Sequence, residues 1–195
     1  MGSTLLLDDY TVEEMQRDPF GEMLDTYRSI AFPDLVEFRY ADLFTDKQRE
    51  DVERLRDRTR DKFVLRLVVR CGEDIVGWSV GVQANAEQFR MANSAVLPGH
   101  RRKGIYTALL LQVLERARAE GFQTVTSHHH PTNNAVLIAK LKAGFIITGM
   151  EITDDYAALV NMTHFFDPRR LHALGVRACA QRPTGEVRAL LNDKS

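Results

Sequence analysis

The chain has 195 residues, 44% of them hydrophobic and 27% charged, a balance that fits one folded domain and excludes a disordered or fibrous chain. A formal net charge of −1 argues against bulk binding to nucleic acid or to an anionic membrane. Two cysteines, Cys71 and Cys179, are too few for a disulfide framework or a cysteine zinc site, and neither a signal-peptide pattern nor an apolar run of ~20 residues is present, so a cytoplasmic location is expected.

From the amino terminus, Thr11 and Glu14 have the spacing of a capping box and predict the start of a short helix. After Pro19, Phe20, Met23, Leu24, Tyr27 and Ile30 recur at helical spacing up to Pro33, which suits a packing helix over the core or a lid over a substrate site. Val36, Phe38 and Tyr40 alternate with polar or small residues and predict a half-buried strand. Asp46 to Lys62 is intensely charged with both signs mixed, which predicts a solvent-facing helix carrying pairs such as Glu50 with Arg54. Phe63 to Val69 and Ile75 to Val82 read as a hairpin around Gly72, Glu73 and Asp74, and Arg90 to Leu97 as the next, antiparallel strand.

That strand ends in Val96-Leu97-Pro98, a basic loop follows at Arg101-Arg102-Lys103-Gly104, and a long amphipathic helix begins at the glycine. The first N–H groups of a helix lack intrahelical partners, and with the helix dipole they attract an anion such as a pyrophosphate. No P-loop and no dinucleotide-binding glycine pattern occurs. The residues resemble motif A of the GNAT superfamily of N-acetyltransferases, Arg/Gln-x-x-Gly-x-Gly/Ala after a strand ending in Val-x-Pro, with Tyr106 where the family usually has Gly or Ala.

The helix ends near Gly121, Thr124 to His130 reads as a strand, and Asn133 to Lys142 as a helix capped by Gly144. Asn133, ahead of Gly144-Phe145, resembles the asparagine of motif B, and Lys140 stands where many members place a tyrosine that reprotonates the thiolate. Phe145 to Ile152 and Tyr156 to Phe166 complete the strands, and a weakly helical tail is interrupted by Pro183 and Gly185. The order of elements predicts a single α/β (α+β) domain with a mixed, mostly antiparallel central sheet flanked by helices on both faces.

The resemblance implies acetyl-CoA as cosubstrate and direct acetyl transfer to an amine on a small molecule or peptide. It implies that Ser94, Ala95 and Val96 hold the pantetheine and polarise the acetyl carbonyl, that Arg101, Arg102, Lys103, Gly104, Ile105, Tyr106 and Thr107 surround the pyrophosphate, and that Asn133 adds a cofactor contact. His128, on the strand position five before Asn133, is the first candidate for general base, with His130 on the same face and Glu87 in reserve; an imidazole titrates in a suitable range. The three histidines could equally be ordinary polar strand residues, and a metal site would need a third ligand that no spacing supplies. Tyr106, Tyr156 or solvent could supply the leaving thiolate's proton. The competing expectation is a CoA-binding module without catalysis. Exposed edges of the final strands suggest a homodimer.

Overall fold

The computed structural model describes residues 3–33, 40–59, 61–178 and 180–192. Eight strands form one sheet: β1 (Thr4–Leu7), β2 (Tyr10–Glu14), β3 (Val64–Cys71), β4 (Asp74–Gln83), β5 (Gln88–Val96), β6 (Thr124–His129), β7 (Ile146–Thr153) and β8 (Ala157–Phe165). Their order is β1-β2-β3-β4-β5-β6-β8-β7, and every neighbouring pair is antiparallel except β5 with β6. That one parallel pair is joined by a helical crossover, as parallel strands require.

Helices cover both faces. On one, α3 (Ile105–Ala119) buries Ile105, Leu109, Leu110, Val113 and Ala117 against Leu67, Phe89, Met91 and Val125, and α4 (Asn134–Lys142) adds Leu137 at its margin. On the other, α1 (Arg17–Ala31) seats Phe20 and Met23 against Val68, Trp78 and Ala95. Proline at position 19 falls in the first turn of α1, where its missing N–H costs no helical bond. The charged segment is α2 (Asp46–Asp57), which has no buried residue; its ion pairs run Arg49–Asp46, Arg54–Asp51 and Arg56–Glu53, three residues apart, in place of the expected Glu50 with Arg54. Two short helices, α5 (Pro168–Arg177) and α6 (Gly185–Asn192), close the chain.

One early expectation differs from the structure, and a second falls largely outside the described residues. Thr11 to Glu14 lies in β2, not in a helix: Tyr10 and Val12 alternate into the core while the strand pairs with β3, and this burial outweighs a capping pattern that is local only. The strand expected at Val36, Phe38 and Tyr40 falls largely on residues 34–39, outside the described residues, and Tyr40 itself opens a 3-10 turn, Tyr40–Leu43. At the far edge, β7 exposes Ile147, Met150 and Ile152 beside its free backbone edge, where the expected pairing of two copies would form. Among the described residues no helix is long and apolar enough to cross a membrane.

Candidate active site

The site begins as a fault in the sheet. β5 and β6 pair only over Gln88–Met91 with Thr124–Ser127; beyond Met91 both strands continue, β5 to Val96 and β6 to His129, with no ladder between them. The cause is a bulge. β4 opposes Val80 to Asn93 and Gly81 to Met91, so Ala92 is an extra residue on β5, and an extra residue bends its strand away from the neighbour. From Ala92 to Val96, β5 therefore keeps β4 on one side and turns an unladdered backbone edge toward the gap. Buried backbone N–H and C=O groups need partners, and a ligand with its own amides can supply them there.

Ser94, Ala95 and Val96 all lie on this edge, but their side chains do other work. Ser94 Oγ shares a 2.8 Å hydrogen bond with Ser79 Oγ, while Ala95 and Val96 pack into the two cores on opposite sides of the sheet. What they offer a ligand is backbone.

The loop after β5 is braced from behind. Arg101 Nε donates to Val96 O at 3.0 Å and its Nη2 to Ala31 O at 2.8 Å, so its guanidinium ties β5 to the end of α1 and is not part of the free cationic mouth. Lys103 Nζ donates to Tyr10 Oη at 3.4 Å, and Tyr10 Oη meets His100 Nδ1 at 3.1 Å. Arg102, exposed and at φ +62°, is the cation of the loop that no hydrogen bond or ion pair engages among the described residues. Gly104 follows at φ +81°, a left-handed position that glycine takes without steric cost, and caps α3 with no side chain in the way. Ala108 N–H makes the bond to Gly104 O, which leaves the N–H groups of Ile105, Tyr106 and Thr107 ahead of the helical ladder and facing the loop.

Tyr106 fits a position that usually holds Gly or Ala because its ring turns inward, against the core under α3. Its hydroxyl is buried without a hydrogen-bond partner, and burial pushes the phenol well above its ordinary range. Its side chain is thus removed from both the loop and any proton transfer; only its N–H remains for an anion.

Across the gap, the three histidines diverge. His128 opposes Asn161 of β8 and places Nδ1 2.9 Å from Glu151 Oε1 on β7. His129 points to the opposite face, where Nε2 meets Ser127 Oγ at 3.0 Å, and burial beside Lys140 pushes its imidazole down to about 3, so it stays neutral. His130 lies exposed beyond the strand, with its carbonyl accepting from Asn133 N–H. Among the described residues no cluster of three or more His, Cys, Asp or Glu is placed to hold a metal ion. Asn133, the exposed N-cap of α4, makes no side-chain cap bond. Tyr156 is exposed at the tip of the β7–β8 hairpin.

Glu87 is not brought to the gap. It precedes the first residue of β5, at the opposite end of the strand from Val96, and pairs with Arg170 at 3.2 Å. The fold brings two further groups there: Glu151, which sequence reasoning missed, and Lys140, which it had noted only as standing in a tyrosine's place. Glu151 was findable only as the lone charged residue of its strand. Lys140 is the one fully buried residue of α4, 1% exposed, with Nζ 3.1 Å from Met91 Sδ and 4.4 Å from the Phe145 ring centroid, just where the β5–β6 ladder ends. Burial pushes its ammonium down to about 7.

Comparison with solved structures places this architecture. The chain is similar to the ribosomal-protein-S18-alanine N-acetyltransferase of Escherichia coli, at TM-score 0.60 and 14% identity over 81% of this chain and 94% of that one. It is similar to yncA of Salmonella typhimurium, solved with its cofactor acetyl-CoA, at TM-score 0.59 and 15% identity over 81% and 94%. A GNAT family acetyltransferase from Elizabethkingia anophelis, solved with acetyl-CoA bound, gives TM-score 0.57 and 16% identity over 82% and 100%. At these identities the likeness establishes the fold. No curated protein sequence matches the chain significantly. The sequence model of the acetyltransferase (GNAT) family matches residues 31–145, more than half of the chain and the whole of the gap, loop and β6. The chain belongs to the GNAT acetyltransferase family.

Proposed function

We propose that the protein transfers an acetyl group from acetyl-CoA directly to a primary amine, with His128 as general base. The observation that carries this reading is the parting of β5 from β6: the β5 edge left unladdered from Ala92 to Val96 leads into the anion loop, and the His128–Glu151 pair stands across the gap from it, on β6 and β7. The residues fit the cosubstrate at two chemically distinct points, a row of free N–H groups for phosphates and an amide-rich strand edge for the pantetheine. Acetyl-CoA supplies the activated acyl group as a thioester.

The protein's part is binding, orientation and proton handling. Glu151 accepts the Nδ1–H of His128, which fixes the ring and leaves the Nε2 lone pair to take a proton from the acceptor's ammonium. Backbone N–H groups of β5 at the gap are available to an acetyl carbonyl oxygen. The amine nitrogen then bonds to the carbonyl carbon, the carbon–sulfur bond breaks, the nitrogen gives up its second proton to solvent, and solvent protonates the thiolate. Ser127, the serine that meets a histidine, is fully buried, and Ser94 Oγ is bonded to Ser79 Oγ, which supports transfer without a covalent enzyme intermediate.

A CoA-binding module without turnover is the second reading, and one observation favours it: neither Tyr106, with its hydroxyl buried, nor Lys140, sealed under Met91, presents an acid at the surface of the gap. Incubation of the purified protein with acetyl-CoA and a broad panel of amines separates the two. Release of free thiol together with an N-acetylated amine by mass spectrometry is expected; acetyl-CoA binding with no acetylated amine would establish the module instead.

A further inference from the structure

On the face that His128 shares, the sheet opens into a polar pocket of about 300 Å³ lined by Gln88, Arg90, Thr126, His128, Asn161 and Thr163. Strand register fixes its layout: Arg90 opposes Thr126, Thr126 opposes Thr163, and His128 opposes Asn161. Arg90 and the His128–Asn161 pair therefore stand two residues apart along β6, roughly 7 Å at strand spacing. The pocket has a cationic end and an end with a base.

Two of its groups are unspent. The Arg90 guanidinium meets no carboxylate and makes no hydrogen bond to any described residue, although neighbouring arginines at 70, 116 and 170 are each paired. Asn161 Oδ1 is buried without a partner. A guanidinium fork matches a carboxylate with two parallel hydrogen bonds, and a lone carbonyl oxygen matches an N–H donor. An orphaned buried acceptor carries the cost of its lost hydration, and an incoming amine removes it.

We propose that the acceptor is a small amino-acid-like molecule, whose carboxylate Arg90 holds while Asn161 Oδ1 and His128 receive its amine. A pocket of this size accommodates a free amino acid. The layout also sets polarity, with the amine toward the gap and the carboxylate away from it. This inference rests on amine acetylation at His128 and adds the chemistry of the acceptor.

The test compares free L-amino acids, their C-terminal amides and the corresponding decarboxylated amines as acceptors for wild type and Arg90→Gln. Arg90 is exposed and its side chain makes no hydrogen bond or ion pair among the described residues, so the variant keeps the fold. Wild type is expected to favour the acids in kcat/KM by roughly ten- to a hundredfold, the value of a charge-assisted pair, and Arg90→Gln to erase that preference through KM. Equal use of acids and amides, or a preference that survives Arg90→Gln, would overturn the inference. A second measurement needs no turnover: N-acetyl amino acids and their amides are titrated into the CoA-loaded protein. Tighter binding of the acid that depends on Arg90 supports the pocket even if no amine is acetylated, a result that would fault the catalytic reading alone. Equal or absent binding of both overturns the inference.

Discussion

His128→Gln is expected to lower kcat for acetyl transfer by roughly a hundred- to ten-thousandfold while leaving acetyl-CoA affinity unchanged, the ordinary value of one positioned general base. Glutamine keeps the polarity and approximate reach of the imidazole but cannot carry a proton between ammonium and solvent. The split between kcat and binding follows from the layout, because the loop from Arg102 to Thr107 and the β5 edge do not touch His128 in the strand ladder. Glu151→Gln is expected to give a smaller loss, since an amide can still hold the ring through Nδ1 yet cannot meet the positive charge that forms when Nε2 takes a proton. Stopped-turnover kinetics on the preferred acceptor would measure both. Full activity in His128→Gln would remove the base from the mechanism.

Lys140→Met is expected to stabilise the protein, by about 2–4 kcal/mol at pH 7, and to flatten its stability against pH. The buried ammonium lies against Met91 Sδ from β5 and the Phe145 ring, with His129 of β6 and His164 of β8 as the titratable groups facing it. Burial lowers it from 10.5 to about 7, an interval worth about 5 kcal/mol. The sign follows from proton counts. Above pH 10.5 neither state is protonated and no penalty exists; as pH falls toward 7 the unfolded chain takes up a proton that the folded chain refuses, so stability drops; below about 7 both are protonated and the full penalty persists. His129, lowered to about 3, adds a penalty of the same sign that develops as pH falls below its ordinary 6.5. Methionine retains the stem and the packing and gives up the cation–ring contact, which is the reason the expected gain is smaller than the whole interval. Urea midpoints between pH 6 and 10 would show it. A wild type whose stability does not rise across that range, or a destabilised variant, would contradict the burial of Lys140. The same variant's kcat shows whether a costly buried lysine at the end of the β5–β6 ladder is kept for chemistry.

What could be read from the sequence was local. The Val96-to-Thr107 segment carries strand end, loop glycine and helix start within a dozen residues, and the hairpin at Gly72 announces itself by composition, so both stand where expected. The side chains within those elements were less legible. Arg101 looks like a phosphate ligand beside Arg102, but only the approach of Ala31, seventy residues away, shows that its guanidinium is occupied. In α4 the apolar residues surround the helix almost evenly, so no periodicity told which face turns inward; Ile138 and Leu141 are 52% and 46% exposed while Lys140 is buried. Glu151 reaches His128 across β8, through two registers that no spacing encodes. The gap itself arises from one extra residue at Ala92, invisible in a strand that alternates normally on either side of it.

Calorimetric titration of acetyl-CoA into wild type and Arg102→Glu tests the central claim most directly, because Arg102 is exposed, makes no hydrogen bond or ion pair among the described residues and sits at the mouth of the anion loop. One-to-one binding is expected in the wild type, weakened by roughly ten- to a hundredfold in the charge-reversed variant. Absence of binding in the wild type, or equal affinity in the two proteins, would contradict a cosubstrate held between this loop and the open edge of β5.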